Sequence, residues 1–244
     1  MEKISSLAEI DKITLSYLNL LTPKENQRNI ITFFLLFLDF FGIFPLLAEP
    51  FSHVFLMAAI IPTALLHIWA IVYIVDPYRF ELSYYLFFGI YGIVNTYVLF
   101  LVIQKFLYLH LQVSSKLPFI FGIVLFLSLL LIMNWINYKA LHSGTYHKLQ
   151  NKEAGNSSWI VTASGIGYIL AQMIMTFIFS ESIKMIIIIF LYSLFSVLTA
   201  YFSTSIHRYI FLSNNEETLK KVYPHFGLPK NQRNLPVKKR KKHK

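Results

Sequence analysis

The chain has 244 residues, of which 56% are hydrophobic and only 14% charged. An ordinary soluble domain carries about 25% charged residues, so this chain has too little polar material to cover a soluble surface, and lipid is expected to solvate much of it. The lack of cysteine excludes disulfides, thiolate nucleophiles and cysteine-ligated metals, and the net charge of +10 argues for a nucleic-acid partner only after the charges are placed relative to a bilayer.

Residues 4–21 read as an amphipathic helix. At helical spacing Ile4, Leu7, Ile10, Leu15, Leu18 and Leu21 share one face, while Ser5, Glu9, Lys12 and Asn19 share the other. Such a helix lies at the membrane surface or packs on a bundle. Glu2, Glu9 and Asp11 interrupt any apolar core, so no cleavable signal peptide is expected. Thr22-Pro23-Lys24-Glu25 then predicts a helix start. Thr22 can cap, Pro23 suits the first helical position, and Glu25 sits where a capping-box carboxylate reaches back.

A helix needs roughly 20 apolar residues to cross a hydrocarbon core of ~30 Å. Six stretches qualify, at residues 30–48, 54–75, 83–103, 117–136, 159–179 and 183–206. Asp76-Pro77 closes the second span, because the residue before a proline is disfavoured in helix. Pro62 lies inside that span and predicts a kink. The hairpins at 49–53 and 180–182 are very short, and neither the loop 137–158 nor the tail is long enough for a nucleotide-binding domain.

Orientation follows from the basic residues. With the N-terminus inside, nineteen Lys and Arg fall on the inner side, against Lys105, Lys116 and Lys184 outside; without the tail the ratio is eight to three. This positive-inside bias requires an even number of spans. The predicted fold is therefore all-α: a polytopic membrane helical bundle of about six transmembrane helices, both ends cytoplasmic, preceded by an amphipathic surface helix. The predicted parts are residues 1–28 (surface helix and helix start), 29–206 (transmembrane domain) and 207–244 (basic tail). In layout, a surface helix followed by six spans is similar to the membrane subunits of ABC-2-type exporters. The hairpin at 180–182 is shorter than the re-entrant segment of that family.

Asp39 stands mid-way along the first span, among Phe, Leu and Ile. A central Asp costs ~2.5–3.5 kcal/mol to insert, so it seldom faces lipid. It is a candidate proton or cation site or substrate contact; the plain alternative is a hydrogen-bonded acid that holds helices together. His67, on the next span, is its candidate partner, and an Asp–His pair can relay a proton. Asn95 and Gln172 fall at similar depths on the third and fifth spans, as pathway groups or as interhelical amide bonds. Ser193, Ser196, Ala200, Ser203 and His207 run down one face of the last span, and Ala163, Gly167 and Ala171 form a small-residue row on the fifth; close helix packing explains both patterns. Glu49, His53 and Glu181 lie near the outer surface, where they could gather a cation, but scattered loop carboxylates are ordinarily just solvated and no metal site is expected of them.

Thr162-Ala163-Ser164-Gly165 resembles the nucleophile region of rhomboid-type intramembrane proteases, but no histidine with a supporting motif faces it, and packing of small residues is the preferred explanation. There is no Walker A, Gly-rich phosphate loop or zincin motif. No cofactor and no metal are expected, and an enzyme is the less favoured class. The tail residues Lys238, Lys239, Arg240, Lys241, Lys242 and Lys244 form a basic run after Pro224, Pro229 and Pro236. Such a run is expected to be extended and to bind anionic lipid headgroups at ~1 kcal/mol per basic residue, or an acidic partner. Nucleic acid is not expected.

The leading expectation is a transport-related membrane subunit for a small or amphiphilic substrate, the permease part of an ABC-2-like exporter in its most specific form, beside a separate cytosolic ATPase or another membrane subunit. The alternative is a membrane scaffold, immunity or regulatory protein that recruits a partner through its basic tail. The expected location is a bacterial plasma membrane, or the endoplasmic reticulum in a eukaryote, where Lys241 and Lys242 would match a dilysine signal.

Overall fold

The computed structural model describes residues 20–143, 145 and 180–233, and among these every regular element is helical. Five helices are long and apolar enough to cross a membrane. These are α1 (Pro23–Leu47), α2 (His53–Val75), α3 (Glu81–His110), α4 (Leu117–His142) and the run Glu181–Asn214. In that last run α5 (Glu181–Phe202) turns at Ser203 and Thr204 into α6 (Ser205–Asn214). Two short helices follow, α7 (Glu216–Val222) and α8 (Lys230–Arg233). The chain is thus a helical protein with several membrane-length spans. The predicted surface helix, apart from the non-helical Leu20 and Leu21, lies outside the described residues, as do the predicted span 159–179 and the basic run from Lys238.

α1 opens as predicted. Glu25 N donates to Thr22 Oγ1 at 3.3 Å and Thr22 N donates to Glu25 Oε2 at 2.7 Å, so both halves of the capping box are made. The α-helical part Pro23–Phe33 passes into a π-helical stretch, Phe34–Ile43, before the last turn Phe44–Leu47. The wider turns explain which residues are buried. Ile30, Phe34, Leu38, Gly42 and Leu46 are covered at a strict four-residue interval. In a regular α-helix each four-residue step overshoots a full turn by about 40°, so the row would leave its face within this length. The longer i→i+5 turns cancel that drift.

α3 is the only one of the five spans whose most apolar stretch is mostly buried within the protein, and the others pack around it. On α2, Pro62 deprives the Ala58 carbonyl of its i+4 donor, and Tyr97 Oη of α3 donates to that oxygen at 3.4 Å. Against α5 the approach is closer. A Cβ on Gly92 would stand 2.6 Å from Ser203 N, and one on Gly89 2.7 Å from Ile206 N, so only glycine admits the neighbouring backbone. Thr96 Oγ1 and Thr199 Oγ1 meet at 3.0 Å one turn further along. Ser196, Ala200 and Ser203 are buried here, which is the packing role expected of that face.

Helix directions follow from these contacts. Tyr91 Oη donates to Phe33 O at 2.9 Å, and Lys105 reaches the end of α1, so α1 and α3 are parallel. α2, α4 and α5 run against α3: Tyr97 meets Ala58, Phe126 packs by Tyr97 and Phe100, and Thr199 meets Thr96. Consequently α4 and α5 run the same way. Asn134 Nδ2 donates to Ser203 Oγ at 2.9 Å, and Tyr138 lies edge-on to His207.

Two basic residues depart from the loop positions that hydropathy suggests. Lys105, expected in an outer loop, is fully buried within α3, because the helix continues to His110. Its Nζ donates to Pro45 O at 2.7 Å, Leu46 O at 3.2 Å and Ala48 O, the carbonyls that the end of α1 leaves open. Arg233 folds back onto the start of α3. Its guanidinium pairs with the buried Glu81 carboxylate, donates to Tyr78 O at 3.0 Å, and lies over the Tyr78 ring. Gly227 N donates to Glu81 Oε2 at 2.8 Å, and Leu219 and Phe226 are buried nearby in the chain's last described turns. Pro224 and Pro229 thus belong to a docked segment.

Candidate functional site

Asp39 sits at the centre of the π-helical stretch of α1, and His67 sits on α2, two turns before its end at Val75. The fold brings them together. His67 Nε2 lies 3.2 Å from Asp39 Oδ1 and 3.4 Å from Oδ2. Phe34, five residues before Asp39, meets the same imidazole edge-on, with ring centroids 5.0 Å apart. In an α-helix residues i and i+5 point about 140° apart and would not share a neighbour. The i→i+5 ladder narrows that angle, so the π-helical stretch helps to turn Asp39 toward α2.

The other imidazole nitrogen defines the chemistry. His67 Nδ1 lies 2.9 Å from Thr63 O. A carbonyl oxygen only accepts, so Nδ1 carries a proton. Nε2 then either donates to an Asp39 carboxylate, as part of an imidazolium, or accepts from a neutral Asp39 carboxyl. The two states hold the same atoms and differ by one proton across the 3.2 Å gap. The side chains of His67 and Asp39 are 42% and 37% exposed, so the pair opens on the α1–α2 surface.

Asn95 reaches this region only at one remove. It is fully buried, and its Nδ2 donates to Tyr91 Oη at 3.2 Å, while Tyr91 stacks on Phe34. This bond stays within α3, one turn back, so it is neither a pathway contact nor the interhelical amide bond that the sequence suggested, and Asn95 Oδ1 has no hydrogen-bond partner among the described residues. Gln172 lies outside the described residues, as do Lys238, Lys239, Arg240, Lys241, Lys242 and Lys244. Glu49 accepts from Phe51 N at 2.9 Å and Glu181 pairs with Lys184 at 2.8 Å, both locally. Among the described residues no three or more His, Asp or Glu side chains stand together as metal ligands would.

Phe34, Thr63 and Tyr91 complete the surroundings of the pair and went unremarked in the sequence, where an apolar span offers many Phe and Tyr and nothing marks these. Pro45, two residues after the π-helical stretch, is the one available signal, because a proline inside a span disturbs the ladder around it. Compared with known proteins, the chain matches no protein-family model, no curated protein and no solved structure.

Proposed function

We propose that this is a transport-related membrane protein in which the Asp39–His67 pair takes up and releases a proton as substrate passes. The observation that carries the reading is the pair's bonding: Nδ1 is committed to Thr63 O, leaving one proton to be shared with Asp39. An acid that merely glued helices would be best enclosed with its partner. This pair is more than a third exposed, and so is within reach of a substrate, water or a second subunit.

The proposal includes six spans with both ends cytoplasmic. α4 and α5 run in the same direction, so the chain between His142 and Glu181 has to pass from one end of the bundle to the other. The apolar stretch 159–179 is long enough to do so. The end bearing Lys24, Arg28, Arg79, Lys139 and Arg208 is then the cytoplasmic one, and the basic run beyond residue 234 meets anionic headgroups there. An exporter working with a cytosolic ATPase is the most specific form of this reading, and co-purification of an ATPase in mild detergent tests it.

The test of the pair uses vesicles that enclose a pH-sensitive dye. With a pH step imposed and the membrane potential clamped, wild-type protein should pass protons faster than Asp39→Asn at equal incorporation. Equal rates in the two would remove the pair from the mechanism. A second reading, a scaffold or regulatory protein, is favoured by the docked segment around Arg233 and Glu81. It predicts that cells tolerate Asp39→Asn but lose function when residues 234–244 are deleted.

A further inference from the structure

We propose that a cavity between α3, α4 and α5 binds a single-chain lipid with a hydroxyl head, a long-chain alcohol being the simplest case, and that Gln104 recognises the hydroxyl. The cavity has a volume of about 260 Å³ and is walled mainly by Phe100, Ile103, Phe126 and Leu129. Leu125 and Val197 at its rim are 52% and 41% exposed, which leaves a lateral mouth toward the bilayer.

Gln104 lines this cavity and is only 1% exposed, yet its Oε1 has no hydrogen-bond partner. Buried amide oxygens are nearly always paired, because losing water without a replacement bond is costly. The other polar groups of the cavity make no such demand. Thr96 Oγ1 donates to Gly92 O at 2.7 Å, Ser196 Oγ to Tyr192 O at 3.0 Å and Ser193 Oγ to Ile189 O at 2.9 Å. Room for the amide exists because residue 122 is glycine: a Cβ there would stand 2.5 Å from Gln104 Nε2 and 2.8 Å from the Phe100 ring.

The chemistry of the walls selects the ligand. A hydroxyl can donate to Oε1 and accept from Nε2 of the same amide. A plain alkane leaves the amide unpaired. An anionic head would be buried without a counter-charge, since no Lys, Arg or His lines the cavity and the neighbouring Lys105 is engaged by the carbonyls of α1. At the ~30 Å³ that a water-sized group takes in a liquid, the space holds one chain segment rather than two. Gln104 lies nearer the end of α3 and Thr96 lies eight residues deeper, roughly 12 Å along the helix. A lipid entering from that leaflet would therefore keep its head shallow and its chain deep.

The experiment uses the full chain in phosphatidylcholine nanodiscs with two photoreactive probes, a diazirine-bearing dodecanol and its methyl ether, and maps cross-links by mass spectrometry. The alcohol should label the cavity walls about three- to tenfold more than the ether, the range expected of one net hydrogen bond. Gln104→Leu should bring the alcohol down to the ether's level while the melting temperature holds or rises, because the substitution removes an unpaired amide. Val197→Trp, which narrows the mouth without touching the amide, should reduce labelling by both probes and guards against a Gln104 variant that fails to fold. Equal labelling by the two probes, full alcohol labelling in Gln104→Leu, or labels spread evenly over the lipid-facing surface would each overturn the proposal. The inference does not depend on the Asp39–His67 pair, so Asp39→Asn should leave labelling unchanged.

Discussion

The ammonium of Lys105 lies where the last carbonyls of α1 converge, inside a helix that hydropathy had ended two residues earlier. A methionine there would match the stem but leave those acceptors unpaired. Lys105→Met should therefore lose about 1–3 kcal/mol of stability, read as a lower melting temperature in detergent, whereas an equal loss on Lys116→Met would show that the effect is only one of charge. The amides of α3 carry a second lesson at this scale. Asn95 stood out in the sequence because it falls well inside the predicted third span, but Gln104 did not, because it lies just past that span's predicted end at 103. Both amide oxygens lack a partner among the described residues, but Asn95 donates within α3 to Tyr91, while Gln104 lines a cavity that a ligand can enter. Asp39 and His67 were conspicuous for a simple reason, that ionisable groups in an apolar run are costly and must be answered somewhere.

Elements differ in how far their own residues determine them. The start of α1 was legible because a capping box closes within four residues, and the carbonyl that Pro62 leaves open because proline acts on its own helix. The π-helical stretch was not legible. It depends on keeping a four-residue row against α3 over Ile30, Phe34, Leu38, Gly42 and Leu46, a demand made by the neighbour rather than by the segment. The α3–α5 contact is of the same kind. A methyl group on Gly92 would press on the Ser203 nitrogen and on Phe202 Cβ, at 2.6 and 2.8 Å. Gly92→Ala should then cost about 1–3 kcal/mol as overpacking and weaken the Thr96–Thr199 bond. A thermal-shift comparison with Gly122→Ala, where the neighbours are ends of side chains, checks that backbone proximity is the cause. No loss in Gly92→Ala would refute the close approach.

At the scale of the whole molecule the decisive arrangement is that α4 and α5 lie side by side in the same direction. The proposed six-span topology turns on it. The lack of native cysteine makes a direct test convenient: Ser143→Cys and Ser180→Cys, placed at the two ends of the intervening chain, should react with a membrane-impermeant maleimide from opposite sides. Labelling of both from one side would exclude the sixth crossing. The Glu81–Arg233 pair also belongs to this scale, joining residues 152 positions apart. No local pattern announces such a pair, and a proline-punctuated basic stretch reads more readily as an open tail.

Sequence alone determined where five apolar helices of membrane length fall, and that Asp39 and His67 needed partners. These are local properties: an apolar segment of membrane length partitions by its own composition, and a polar group inside it carries its cost wherever the helix goes. Only the tertiary structure decided who answers whom. The pairing of Asp39 with His67, the burial of Lys105 against α1, the unmet amide of Gln104 and the docking of Arg233 on Glu81 depend on helix rotation and proximity. In lipid all apolar faces are nearly equivalent, so hydropathy cannot choose the rotation; small residues, carbonyls left open and a widened turn do.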